Sequence, residues 1–190
     1  MKNIWFTSDP HFGHGNIIKY CNRPYLTVPE MNEALLENYN KTVKSGDICF
    51  IVGDIAFGHD KGQIEALIKR MNGRKIIILG NHDHDSYFKD VQAEVHYRIL
   101  ELKSNSEFGL GKMVTLSHFP GLSWNGSFHG SYGIHGHEHG AIANDGTNRR
   151  YDCGVDAHNM LPVHWDHIDR VLSKIPTPKE LKGTGKSGGY

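Results

Sequence analysis

The chain has 190 residues, 38% hydrophobic and 22% charged, with Lys+Arg and Asp+Glu equal at 21 each. That length suits one domain with a substantial core, and the composition excludes a disordered polymer. The even charge balance gives no global attraction to long nucleic acid, which leaves a small substrate as the favoured partner.

The longest apolar runs, Ile48–Val52 and Ile76–Leu79, fall far short of the ~20 residues that a bilayer span needs. Met1–Asn3 leads straight into Ile4-Trp5-Phe6 and then polar Thr7-Ser8-Asp9, with no secretory apolar region. Cysteines number 3, without a CxxC pair, which argues against a disulfide framework and for a reducing cytoplasm.

Asn3–Thr7 reads as a short buried strand stopped by Ser8-Asp9-Pro10. Thr27 and Glu30 form a capping-box signature, and Met31, Leu35, Tyr39 and Val43 repeat at helical spacing to about Lys44. Asp47 then precedes the buried strand Ile48–Val52, which ends at Gly53-Asp54. Gln63–Met71 is a second helix, and Lys75–Leu79 a third strand ending at Gly80-Asn81. This βαβαβ order predicts a sheet with parallel strands. Farther on, Val95–Leu102 and Lys112–Leu116 read as an antiparallel pair, followed by short strands at Ser131–Ile134 and Arg149–Val155 and a helix at His167–Ile175. The domain is expected to cover residues 1–175, with 176–190 a flexible, basic, Gly-rich tail.

Histidines number 14, far more than folding needs, so their spacing carries the information. Polar clusters sit at the predicted strand ends: Asp9-Pro10-His11, Gly53-Asp54, Gly80-Asn81-His82-Asp83, Ser117-His118 and Gly136-His137-Glu138-His139. In open α/β sheets, ligands bind beyond the carboxyl ends of the strands, so these clusters point to one site assembled from most of the chain. Asp9 and His11 are two apart, as are His137 and His139, a spacing that lets each pair face one ion along an extended segment. Carboxylate, imidazole and an amide oxygen, without thiolate, suit Mn, Fe, Ni or Zn better than a structural zinc site.

The ordered series Asp9-x-His11, Gly53-Asp54, Gly80-Asn81-His82-Asp83, His118 and Gly136-His137-x-His139 resembles the calcineurin-like metallophosphoesterases. The stretch Asp9–Pro24 and Gly154-Val155-Asp156 are similar to its small stand-alone bacterial and phage members. The resemblance implies an α/β fold, a β-sandwich of two mixed sheets flanked by helices. It also implies two divalent or transition metal ions, with Mn favoured and Fe, Ni, Co or Zn as alternatives. Asp9, His11 and His139 would hold one ion, Asn81, His118 and His137 the other, and Asp54 would bridge them. His82 would protonate the leaving oxygen, and phosphate esters would be hydrolysed by metal-bound hydroxide.

Many members have a second Asp where this chain has Phe57, which leaves the partner that orients His82 open between Asp83 and a backbone carbonyl. His14 and Arg23 are candidates for binding the substrate phosphate. Trp124 and Phe128 are candidates for walling the pocket, with packing as the alternative. The chain spends little on inserts, and such an open site favours phosphodiesters, with nucleotides or cyclic nucleotides as candidate substrates, over phosphomonoesters. A non-catalytic metal-binding module is the rival of another class.

Overall fold

The computed structural model describes residues 2–142 and 148–177. Strands β1 (Ile4–Thr7), β2 (Ile48–Ile51), β3 (Arg74–Ile78) and β4 (Glu94–His96) are parallel neighbours in that order, and β9 (Val163–His164) lies antiparallel on the free side of β1. All four residues of β2 are buried, which is why its sequence reads as an unbroken apolar run rather than an alternation.

Helices α1 (Gly15–Tyr20), α2 (Val28–Thr42) and α3 (Lys61–Arg70) are paired with one face of this sheet, where Met31, Leu35, Tyr39, Ile64 and Ile68 pack with Cys49, Ile51 and Ile77. Thr27 caps α2 by accepting the Glu30 N–H at 3.3 Å. The Glu30 carboxylate accepts from Leu26 N–H instead of closing the box on Thr27. A full capping box does form at α3, between Asp60 and Gln63.

The second sheet has β5 (Ile99–Leu102), β6 (Val114–Ser117), β7 (Tyr132–His135) and β8 (Arg150–Asp152) in that order, with β5 antiparallel and the rest parallel. Its inner residues Leu102, Leu116, Tyr132, Ile134 and Tyr151 share one core with Phe6, Phe50, Ile76 and Ile78 of the first sheet. Helix α4 (Trp165–Leu172) adds Trp165, Ile168 and Leu172 to the same core. The fold is therefore mixed α/β, with two mixed sheets and four α-helices among the described residues. Helices α1–α3 cover the first sheet, whereas the loop after β6 lies over the outer face of the second.

One predicted strand changes. Val95–Leu102 is not one strand: β4 pairs with β3, the chain turns at Tyr97–Arg98, and β5 joins β6 in the other sheet. The two-residue corner carries no Gly, Pro, Asn or Asp, and a shift of apolar phase at Ile99-Leu100 is all the sequence shows of the change of partner. The short α1 and β9 lack enough residues to set a period. Most of the predicted tail, 178–190, lies outside the described residues.

Candidate metal centre

The parallel strands deliver their C-terminal turns to one edge of the molecule. Beyond β1 and β2 the chains stay paired: Asp9 N–H donates to Gly53 O at 3.0 Å, His11 N–H to Asp54 O at 3.1 Å and Phe12 N–H to Ile55 O at 2.9 Å. Ser8 meets Gly154 in an isolated parallel bridge, which joins this edge to the chain after β8.

Two groups of side chains result. Donor atoms of Asp9, His11 and His139 lie within 4.8 Å of one another, and so do those of Asp54, His118 and His137. Asp54 Oδ2 stands between the groups, 3.5 Å from His11 Nε2 and 3.3 Å from His118 Nε2. Asn81 and His82 are on the turn after β3, where His82 N–H donates to Asp54 Oδ1 at 3.0 Å.

This packing needs unusual backbone. Among the described residues, eight non-glycine residues have positive φ, and five of them are Asp9 (57°), His11 (51°), Asp54 (52°), His137 (71°) and His139 (50°). Left-handed backbone is costly for side-chain-bearing residues and concentrates at functional sites. The glycines serve approach as much as turning. A Cβ on Gly80 would lie 2.2 Å from Asp54 Oδ1, and one on Gly136 would lie 2.3 Å from Asp9 Oδ2 and 1.9 Å from Ser8 Oγ. Only bare backbone lets these two carboxylates in.

No family model matches the sequence. The uncharacterized protein MJ1445 of Methanocaldococcus jannaschii is 32% identical over 180 residues, spanning 92% of this chain and 93% of its own. The Gene 66 proteins of Mycobacterium phages D29 and L5 are also 32% identical, over 201 and 204 residues, each across 92% of this chain and 98% and 96% of their own. The chain belongs to their family. A crystal structure of a protein of unknown function, AQ665 from Aquifex aeolicus, shares the fold at a TM-score of 0.68 and 24% identity, covering 90% of this chain and all of that one. The overlap with YfcE, a phosphoesterase from E. coli, has a TM-score of 0.35 at 13% identity, too little to carry an argument.

The residues fit a cation. Asp9 Oδ1, His11 Nε2 and His118 Nε2 are buried without a hydrogen-bond partner, and all three face into the two groups. Buried polar atoms are rarely left unpaired, so three together imply an absent partner. Each neighbouring atom is engaged. Asp9 Oδ2 accepts the His137 N–H at 2.9 Å, and His118 Nδ1 donates to Val52 O at 2.8 Å, which turns Nε2 toward Asp54 Oδ2 at 3.3 Å. Burial lowers the His118 ring, but Asp54 and Asp9 outweigh it and raise it to about 9, so a cation there would have to displace its Nε2 proton. Burial pushes the Asp9 carboxyl up to about 7, against the pull of His118 and His139. Burial also pushes His11 down to about 3, outweighing the attraction of Asp54, so its ring is neutral and its lone pair available.

The remaining predicted residues are placed as follows. His82 is 39% exposed, its Nε2 is 3.9 Å from Asp54 Oδ2, and its ring meets Phe57 edge-on at 5.5 Å. Asp83 does not orient it. The buried Asp83 carboxylate accepts the N–H groups of Asp54 (2.8 Å), Ile55 (2.9 Å) and Gly80 (2.9 Å), so it staples the β2 turn to the β3 turn. His14 stacks on Phe57 at 4.3 Å, with its Nδ1 3.4 Å from His11 Nδ1.

Arg23 is not available to a substrate. Its guanidinium is buried, gripping Asp156 through Nε and Nη2 and donating to Pro10 O and Asp9 O, each at 2.8 Å. Asp156 Oδ2 in turn lies 2.6 Å from His139 Nδ1. The sequence held no local sign of this chain, because Asp156 is 133 residues from Arg23.

Proposed function

We infer that this protein is a dinuclear-metal phosphoesterase of the calcineurin-like type, acting on phosphodiesters. The observation that carries the reading is the pair of His/Asp groups with Asp54 Oδ2 between them. Asp9, His11 and His139 would hold one ion, His118, His137 and Asn81 the other, with Asp54 touching both. When bound, two such cations supply Lewis acidity toward a phosphoryl oxygen and an activated water. With Asn81 as a neutral ligand, the site carries less anionic charge and favours a phosphate.

The chain's own residues do the rest. His82, exposed beside Asp54, is positioned to hold a proton for the leaving oxygen. Phe57 and His14 form an aromatic lip around it, which limits water on that side. Phosphodiesters are favoured because no inserted domain covers the site among the described residues. The monoester alternative drew on Arg23 as a second anion-binding group, and the burial of Arg23 weakens it. The non-catalytic alternative lacks support because no ligand position is lost.

The test is metal content together with kcat/KM for bis-(p-nitrophenyl) phosphate against p-nitrophenyl phosphate in Mn²⁺. The diester is expected to be preferred after correction for intrinsic reactivity. Asp54→Asn is expected to lose one or both metals and several orders of magnitude in kcat. Two retained metals with near-normal turnover in Asp54→Asn would remove Asp54 from between the ions.

A further inference from the structure

Two cavities border the metal centre, and among the described residues they share no lining residue. The first, of about 440 Å³, is lined by Asn81 and His82 on the turn after β3, and by Phe57, His84 and Tyr87. The second, of about 410 Å³, is lined by His118 and continues over Phe119 and Ile99. Both volumes are typical of small-molecule sites.

Each cavity has an exposed phenylalanine in its wall. Phe57 is 43% and Phe119 50% exposed, although both rings touch histidines of the centre. Phe57 meets His82 in a T-shaped contact at 5.5 Å, and its stack with His14 at 4.3 Å covers one face. Phe119 makes T-shaped contacts with His137 at 4.5 Å and His118 at 5.3 Å. The surroundings of both are apolar or aromatic: the His84 and Tyr87 rings meet at 5.3 Å in the first cavity, and Ile99 is 60% exposed in the second. Covering such rings with an apolar group is favourable, and rings already held by their neighbours lose little freedom when it happens.

We propose that the two cavities receive the two organic arms of one phosphodiester, and that Phe57 and Phe119 select arms ending in a flat apolar ring. The assignment rests on the phosphoesterase reading and deepens it. The arm that leaves belongs against Phe57, because His82, which holds the proton for the leaving oxygen, lines that cavity. The arm that stays on phosphorus belongs against Phe119, beside His118 and His137. A monoester would fill one cavity and leave the other to water. A methyl group is too small to cover either wall, and an alkyl chain gains burial without the added stabilisation of ring on ring.

Bis-(p-nitrophenyl) phosphate and methyl p-nitrophenyl phosphate share a leaving group and differ in the arm that stays. Their kcat/KM ratio in Mn²⁺, compared between wild type and variants, cancels intrinsic reactivity. Phe119→Ala is expected to lower the ratio about 10-fold, the worth of one ring contact, and Phe119→Tyr to restore it. Phe57→Ala is expected to lower kcat/KM for both substrates and leave their ratio as in wild type. An unchanged ratio in Phe119→Ala, or a ratio lowered equally by Phe57→Ala, would overturn the assignment. Diphenyl phosphate, whose leaving group is far poorer, reads binding without turnover in calorimetric titration of the full-length protein with Mn²⁺. Binding that Phe119→Ala weakens, in a protein that cleaves no diester, would keep the walls and sink the phosphoesterase reading. Diester cleavage with a ratio that neither variant alters would do the reverse.

Discussion

Arg23 reaches no solvent, yet it fixes two things at once: the carbonyls of Asp9 and Pro10, and the Asp156 carboxylate that faces His139. Lysine keeps the charge but not the fork that makes these contacts together. Arg23→Lys and Asp156→Asn are therefore expected to weaken metal binding at the Asp9–His11–His139 group by about 10–100-fold, the usual effect of losing a ligand's outer partner. Competition against a chelating dye measures this directly, and unchanged affinity would mean that His139 is held without Asp156. His82→Ala is expected to leave metal content near normal while lowering turnover by ~10²–10⁴, more for alkyl leaving groups than for nitrophenyl. Equal losses for both would show positioning rather than proton donation. At this scale the sequence disclosed which residue types gather, because spacing and strand-end placement are local. It hid Arg23 and the left-handed backbone of Asp9 and His137, which arise only where distant turns press together.

At the scale of elements, Asp47 ties the start of β1 to the turn before β2. Its carboxylate accepts from Asn3 N–H (3.1 Å), Asn3 Nδ2 (3.0 Å), Trp5 Nε1 (3.1 Å) and Lys44 N–H (3.0 Å). Burial raises this carboxyl, but the bonds from Lys44, Trp5 and Asn3 outweigh it and hold Asp47 below the ordinary value of 3.8. A depressed folded-state value stabilises above the unfolded one, and the contribution is lost as pH falls through the folded one. Asp47→Ala is expected to cost roughly 1–3 kcal/mol at pH 7. The gap to wild type should narrow below about pH 4. Urea unfolding at several pH values checks this, and a gap independent of pH would assign the cost to packing. The strands β1, β2 and β3 were legible because each is an apolar run ended by turn residues. The corner at Tyr97–Arg98 was not, since only two residues part β4 from β5 and neither is a turn former.

For the whole molecule, each metal group draws on both sheets: Asp9 and His11 follow β1 and His139 follows β7, while Asp54 follows β2 and His118 and His137 follow β6 and β7. An ion in either group would therefore clamp the sheets together at that edge. Adding Mn²⁺ after EDTA treatment is expected to raise Tm by about 5–10 °C at a hundredfold excess over Kd for one site. No shift with Mn²⁺, Zn²⁺, Ni²⁺ or Co²⁺ would count against the centre. The same division sets an order on biosynthesis. A chain emerging N-terminus first completes β1–β4 with α1–α3 before any of the second sheet exists. Asp9, His11 and Asp54 then stand on their turns without the imidazoles of His118, His137 and His139, and β9 has yet to arrive beside β1. A nascent chain halted before His137 would lack His137 and His139, one imidazole of each group. Neither group could therefore be complete for an ion until the segment carrying both residues has been made.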